Sequence, residues 1–430
     1  MTSPRPSRRR RCPAWWLPLA LALTGAPLSA QERSAATSDV FQRYSDRVVK
    51  IQVVENGSAA KTSIGSGFFV TEAGHVVTNY HVISSLINAP ARYRAQLIES
   101  DGTARPVTVL AIDVIHDLAI LDSKLRDRPR FTLGTAPIAQ GNRLFSMGHP
   151  RDLGLSIVEG TYNGLLLHTL YPRIHLTGSL NPGMSGGPTI DEAGRVIGVN
   201  VSTAGNQMSF LVPVDRAVAL LERALAPNGR HEAPSLTQVG RQLRDYQDVY
   251  LRDMFDASTK LIDFGPFRVA TQPAPFFRCW ASSKHEQDLP YEKVSHSCTT
   301  DDDIFLDDDQ TTGSVTLGHE LVSTRSLNAA RFYSLYTKLF LSDNSPSGSE
   351  EYVTSWKCRT RNVRNGEATM RAVLCLRRYR KLGALYDGYL KLAMLGRSDV
   401  GLVTTLTMTG VTFENVDRLS GRYLKLVAWR

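Results

Sequence analysis

Asn181-Pro182-Gly183-Met184-Ser185-Gly186-Gly187-Pro188 is the stretch whose reading decides the rest of the chain. Glycines on both sides of Ser185 let the backbone take angles that other residues resist. The turn can then present a hydroxyl while the N–H groups of Gly183 and Ser185 meet at one point. Met184 completes the backbone of this oxyanion-binding turn. Donors aimed at a developing oxyanion are each worth about 3 kcal/mol. A serine in a Gly-rich turn is not diagnostic alone, because attack by a hydroxyl also needs an imidazole to take its proton. A carboxylate must in turn hold that imidazole in the right tautomer.

Both groups lie upstream. Gly65-Ser66-Gly67-Phe68-Phe69-Val70 is followed by Gly74-His75-Val76-Val77-Thr78-Asn79-Tyr80-His81-Val82, an apolar strand ending in a polar turn that presents His81. His116-Asp117-Leu118-Ala119-Ile120-Leu121 sets an acid at the mouth of another apolar strand. The chain order His81, Asp117, Ser185 is that of triads on the chymotrypsin fold. Asp113 competes for the carboxylate role, but Asp117 directly precedes the strand. His116, His149 and His175 have no required role and read as structural.

Taken together, these segments resemble the HtrA/Deg group of trypsin-fold serine proteases over roughly residues 38–226. Gly148-His149-Pro150, Val196-Ile197-Gly198-Val199-Asn200 and Phe210-Leu211-Val212-Pro213 fit as well. The resemblance implies two six-stranded β-barrels with the triad in the cleft between them. His81 would be the general base, Asp117 its orienter and Ser185 the nucleophile. Met184 departs from the group's usual Asn, and its side chain is expected at the cleft wall. No PDZ-like carboxylate-binding loop follows Ala226, so peptide-terminus sensing does not carry over.

In this fold the primary specificity pocket is walled by the loop before the serine and the strand after it. Ser179 and Leu180 on the loop, with Val199, Asn200 and Val201 on the strand, are the expected substrate-binding residues. None is charged, so cleavage after small or medium apolar residues is expected, not after Lys or Arg.

The formal charge of +9 points weakly to nucleic acid, but Arg5, Arg8, Arg9, Arg10 and Arg11 supply five of those charges ahead of an apolar segment. The remaining excess forms no Lys/Arg stripe, so nucleic acid is not an expected partner. The basic run, the apolar stretch from Ala14 to about Ala26 and the small-residue exit at Leu28-Ser29-Ala30 read as a secretory signal over residues 1–30. A membrane span needs about 20 apolar residues. This stretch is shorter and broken by Pro18, so no stable span is expected after leader removal. A periplasmic or secreted location follows.

Cys12 belongs to the leader. Cys279, Cys298, Cys358 and Cys375 form an even set in an exported chain, which favours two disulfides. Cys358 and Cys375 are equidistant from the turn signal Asn365-Gly366-Glu367-Ala368, and Cys279 and Cys298 flank the polar 284–290 stretch. Pairing within each hairpin is therefore expected. No Cys-x-x-Cys spacing supports zinc, and neither metal nor cofactor is expected. The aspartates at 301–303 and 307–309 lack the pattern of a calcium loop and read as solvated clusters around Ile304-Phe305-Leu306.

The expected organisation is a leader (1–30), an all-β protease domain (38–226), a linker (227–234) and a disulfide-braced α+β domain of unknown role (235–430). Helices are expected at 215–225, 236–255 and 415–429. The expected function is hydrolysis of unfolded or loosely folded polypeptides through an acyl-enzyme. A catalytically silent, polypeptide-binding chaperone or scaffold is the alternative, and assembly into oligomers stays open.

Overall fold

Leu118-Ala119-Ile120-Leu121 shows why the N-terminal strands read as continuous apolar runs. Successive side chains of a strand point to opposite faces, and here both faces are covered. Leu118 and Ile120 enter one buried cluster, and Ala119 and Leu121 enter another. Phe68 and Phe69, and Val76 and Val77, divide in the same way.

The computed structural model describes residues 37–430, apart from 135–136, 228–233, 257, 285–288, 301 and 343–344. The leader with Cys12, Asp301 and all of the expected linker except Pro227 and Pro234 lie outside the described residues.

An antiparallel seven-stranded sheet comes first. Its order is Ala104–Pro106, Tyr93–Ile98, Val48–Glu55, Lys61–Phe69, His75–Thr78, Leu118–Asp122 and Thr108–Asp113. This differs from the six strands expected, and Pro106 is the reason. Proline has no N–H to give a ladder, so 104–113 counts as two strands joined by Val107, whose N–H bonds Ala95 O at 3.2 Å. The two segments form the sheet's two edges. Six strands then close a barrel, where two barrels were expected: Arg143–Gly148, Ser156–Leu165, Ile174–Thr177, Pro188–Ile190, Val196–Thr203 and Met208–Pro213.

The helix Val214–Leu225 packs across both halves and buries Val214, Ala217, Leu220 and Ala224. Leu225 is exposed.

Ser235 caps the helix Leu236–Tyr250 by accepting from Gln238 N. This helix is shorter than the sequence pattern implies. The C-terminal region is built on a second antiparallel seven-stranded sheet: 277–284, 292–300, 315–323, 400–411, 386–394, 368–378 and 357–365 in spatial order. Alternation again serves two faces. Val322, Ala393 and Val403 meet Phe332 and Tyr336 of the helix Ala329–Leu341, while Leu321, Leu392 and Leu402 share a cluster with Val416, Leu419 and Tyr423 of the helix Phe413–Leu424. That last helix stops short of the expected 429. Trp429 instead pairs with Phe267 in a small sheet, their rings 4.5 Å apart.

Cys279–Cys298 and Cys358–Cys375 are bonded, each pair directly opposite in its hairpin register. The second hairpin turns at Gly366-Glu367, between the paired Asn365 and Ala368. Cys279, His296 and Cys298 bring their donor atoms within 4.8 Å of one another, but both sulfurs are committed to the disulfide. Among the described residues no helix is long and apolar enough to cross a membrane.

The C-terminal region is not a bead on a string. Val239, Leu243, Ile304, Leu306, Tyr352, Val353, Tyr379, Leu382 and Leu385 belong to the same buried cluster as Ile51, Val76, Tyr80, Leu97 and Leu121 of the first sheet. Gln242 fastens the join. Its amide donates to Ile112 O (2.8 Å) and its carbonyl accepts Val114 N–H (2.8 Å), so it behaves as a short extra strand.

Candidate active site

The N-terminal half places His81 as the second residue of the helix Tyr80–Asn88. Asp117 ends a turn in the left-handed region, with φ 55°, a conformation that aspartate tolerates better than most residues. The turn aims its carboxylate back at the helix. Oδ1 accepts His81 N–H at 2.8 Å, and Oδ2 lies 2.6 Å from His81 Nδ1. A carboxylate can only accept, so Nδ1 carries the proton and Nε2 keeps its lone pair. Asn79 Nδ2 donates to Asp117 O at 2.7 Å and fixes the turn from the other side.

Burial pushes the His81 pKa down, but the charge and hydrogen bond of Asp117, with Asp308 beyond, outweigh it. The imidazole is held above its ordinary value. Asp113 is not a competitor, since it is bound to His116 Nδ1 (3.0 Å) and Arg223 (3.3 Å).

The loop carrying Ser185 is held by both halves. Ser66, from the Gly-Ser-Gly-Phe strand, donates its hydroxyl to Gly183 O (2.7 Å), accepts His149 N–H (2.8 Å) and gives its own N–H to Ser185 O (2.7 Å). Thr78 Oγ1 then donates to Ser66 O at 2.7 Å. Gly183 has φ +96°, and a Cβ there would fall 2.4 Å from His149 O. Gly186 has φ +83°, and a Cβ there would meet Ser66 O at 2.3 Å. These two positions require glycine.

Met184 departs from expectation twice. Its N–H is spent on Asn181 O at 3.0 Å, so it is not an oxyanion donor. Its side chain is fully buried among Leu144, Leu176, Ile197 and Leu211, away from the cleft wall, because the tight turn drives it into the barrel. Among the described residues the N–H groups of Gly183 and Ser185 have no protein acceptor. The Ser185 hydroxyl donates to Val201 O at 3.0 Å, not to His81. Catalytic hydrogen bonds in unliganded sites are often looser than in the complex.

Residues 65–199 match the trypsin-like peptidase domain. The chain belongs to the HtrA/Deg-like serine proteases of the trypsin fold. It is 31% identical to Protease Do-like 5, chloroplastic, of Arabidopsis thaliana, over 42% of this chain and 66% of that one. It is 30% identical to Serine protease HTRA2, mitochondrial, of Bos taurus, over 49% of this chain and 48% of the relative. The chain thus spans between about half and two thirds of the length of these curated relatives. Among solved structures, the crystal structure of Deg5 is 28% identical over 45% of this chain and 96% of that one, with a TM-score of 0.40.

Beside Ser185 the HtrA/Deg-like region has a cavity of about 250 Å³ lined by Leu180, Asn181, Pro182, Ser185, Val201, Ser202 and Thr203. Leu180 and Val201 are where the sequence pattern puts them. Ser179 is exposed and does not line the cavity. Val199 and Asn200 do not line it either. Val199 points into the core between the halves, and Asn200 is fully buried, donating to Met147 O and Met184 O. The cause is a register shift between Asn200 and Ser202, which ends simple alternation and turns Val201, Ser202 and Thr203 toward the cleft. A β-bulge of this kind leaves no mark in the hydrophobic pattern.

The imidazoles of the three histidines read as structural are set apart from the His81–Asp117 pair. His149 is pushed down to about 4 by burial and by Lys50, against Asp152. His116 is held by Asp113, and His175 leans on Phe210.

Proposed function

We propose that this chain is an exported serine endopeptidase that hydrolyses peptide bonds of unfolded or loosely folded proteins. One observation carries the reading. A carboxylate grips both the N–H and the imidazole of His81, and a serine on a turn with two unengaged N–H groups lines a cavity that shares Val201 and Ser202 with the one at His81. In the proposed reaction Ser185 Oγ attacks the scissile carbonyl as its proton passes to His81 Nε2. The tetrahedral oxyanion is met by the N–H groups of Gly183 and Ser185. His81 then gives its proton to the departing amine, leaving an acyl-enzyme. Water, deprotonated by the same imidazole, attacks the ester and releases the acid with Ser185 restored.

Export, and with it a periplasmic or secreted location, is supported by the basic-then-apolar N-terminal sequence and by two disulfides, which persist in oxidising compartments. Extended polypeptide is a fitting substrate because, among the described residues, Ser202 and Thr203 pair with Phe210 and Ser209 on one side only. The neighbouring strand on the other side stops at Pro188 opposite Val199, so a substrate strand can add to that edge.

A fluorophosphonate probe should label the wild type at Ser185, and Ser185→Ala should abolish both labelling and casein cleavage with an unchanged circular dichroism spectrum. Casein cleavage at the wild-type rate by the variant would refute the assignment. A wild type that binds casein but takes no label would leave only the polypeptide-binding alternative.

A further inference from the structure

A hairpin of the C-terminal region, Ile304–Asp307 with Gln310–Thr312, reaches the cleft. Ile304 and Leu306 are buried in the shared core, so alternation turns Phe305 the other way. Its ring meets the His81 imidazole edge-on, with centroids 5.7 Å apart. The hairpin is held as a fixed wall. Leu306 O accepts from Asn88 Nδ2 (3.3 Å) and Tyr80 OH (3.5 Å), both on or near the helix that carries His81. Asp302, expected to be solvated, is buried. It accepts Leu170 N–H (2.8 Å) and pairs with Arg173 (3.2 Å), while Tyr171 OH donates to Asp303 O (3.2 Å).

Between this wall and the triad lies a second cavity of about 300 Å³. Val114, Tyr171, Val212 and Phe305 give it apolar sides, and His81 and Asp117 lie along it. Its three other ionisable groups are already engaged: His116 with Asp113, Arg173 with Asp302, and Asp303 with Thr311.

Val201 and Ser202 line this cavity and also the one beside Ser185. An extended peptide lying along their edge points successive side chains to opposite sides. When one side chain enters the cavity at Ser185, the preceding residue's side chain faces the cavity at His81.

We propose that Phe305 is a specificity-determining residue: with Tyr171 and Val114 it forms an apolar subsite for the substrate side chain preceding the one beside Ser185. The C-terminal region is on this view part of the protease's substrate-binding surface. The inference rests on the serine-protease reading above, and its test keeps the two apart.

Two fluorogenic peptides alike except for Leu or Gly at the preceding position are compared on full-length wild type, Phe305→Ala and Phe305→Leu, with fluorophosphonate labelling rates measured in parallel. The wild type should favour the Leu peptide about tenfold in kcat/KM, the usual worth of filling an apolar pocket. Phe305→Ala should reduce that preference to about twofold, mainly through KM, and Phe305→Leu should keep most of it. Each variant should still take the label, which shows that Ser185 remains reactive. An unchanged Leu-over-Gly preference in Phe305→Ala overturns the subsite. So does an equal change for both peptides together with labelling, since Phe305 would then only steady His81 or cover the cleft. Absence of labelling in the wild type removes the protease premise, and the subsite with it.

Discussion

Asp117 makes two bonds to one residue, and its two oxygens do different work. Oδ1 on the His81 N–H sets where the helix begins, while Oδ2 on Nδ1 sets the tautomer and holds the imidazole above its ordinary pKa. Asp117→Asn keeps an acceptor for the backbone but loses the charge that stabilises an imidazolium. The protein should fold, with kcat reduced by about 10⁴-fold, the size of effect known for such a change in triads. The sign of the pH effect follows. His81 acts as a base only when neutral, so activity is present above its pKa and lost as pH falls through it. In the wild type the acid limb of kcat/KM should lie above the ordinary imidazole value of about 6.5, and residual activity of Asp117→Asn should persist to lower pH. A pH–rate profile of both proteins reads this directly, and an acid limb that stays put in the variant would count against the pairing.

At the scale of elements, the parts of the site that were legible are those fixed by local backbone. His81, Asp117 and Ser185 each sit in a turn or helix start written in adjacent residues, and the Gly366-Glu367 turn sets its disulfide register in the same way. The parts that were not legible depend on contacts between elements. Asn200 looks like a cleft residue until the register shift at 200–202 buries it under Met147 and Met184. Ser66 reads as a strand residue, yet it straps the nucleophile loop across the two halves. Phe305 lies far away in sequence, and only the burial of Ile304 and Leu306 turns it toward His81.

Even with Ser179, Val199 and Asn200 removed from the cavity beside Ser185, the residues that replace them, Asn181, Pro182, Ser202 and Thr203, carry no charge. A buried Lys or Arg side chain there would have no carboxylate to offset its desolvation. Casein fragments mapped by mass spectrometry should therefore show cuts mostly after small or medium apolar residues, and a majority after Lys or Arg would contradict the cavity as described.

The whole molecule raises a question that neither half answers alone: whether the first half can stand without the second. Sequence patterning divides the chain at 227–234, as if a linker joined two modules. The buried cluster crosses that division, because Leu306, Tyr352, Tyr379 and Leu385 share it with Tyr80, Leu97 and Leu121. Burying a side chain of this size contributes about 1.5–3 kcal/mol. A chain stopped after Ala226 would also leave Arg173, only 18% exposed, without Asp302. Removing one partner of a buried pair costs about 3–5 kcal/mol. Ile112 and Val114, which lead into the Asp117 turn, would lose Gln242. Domains are stable by only about 5–15 kcal/mol, so these losses together are of the size that unfolds one. Residues 37–226 expressed alone should be insoluble or lack a cooperative thermal transition, and should take no fluorophosphonate label although all three residues of the proposed triad are present. A soluble fragment with a wild-type melting temperature and labelling rate would show instead that the C-terminal region only rests against the barrel, and that the shared core is not needed to hold the Asp117 turn in place.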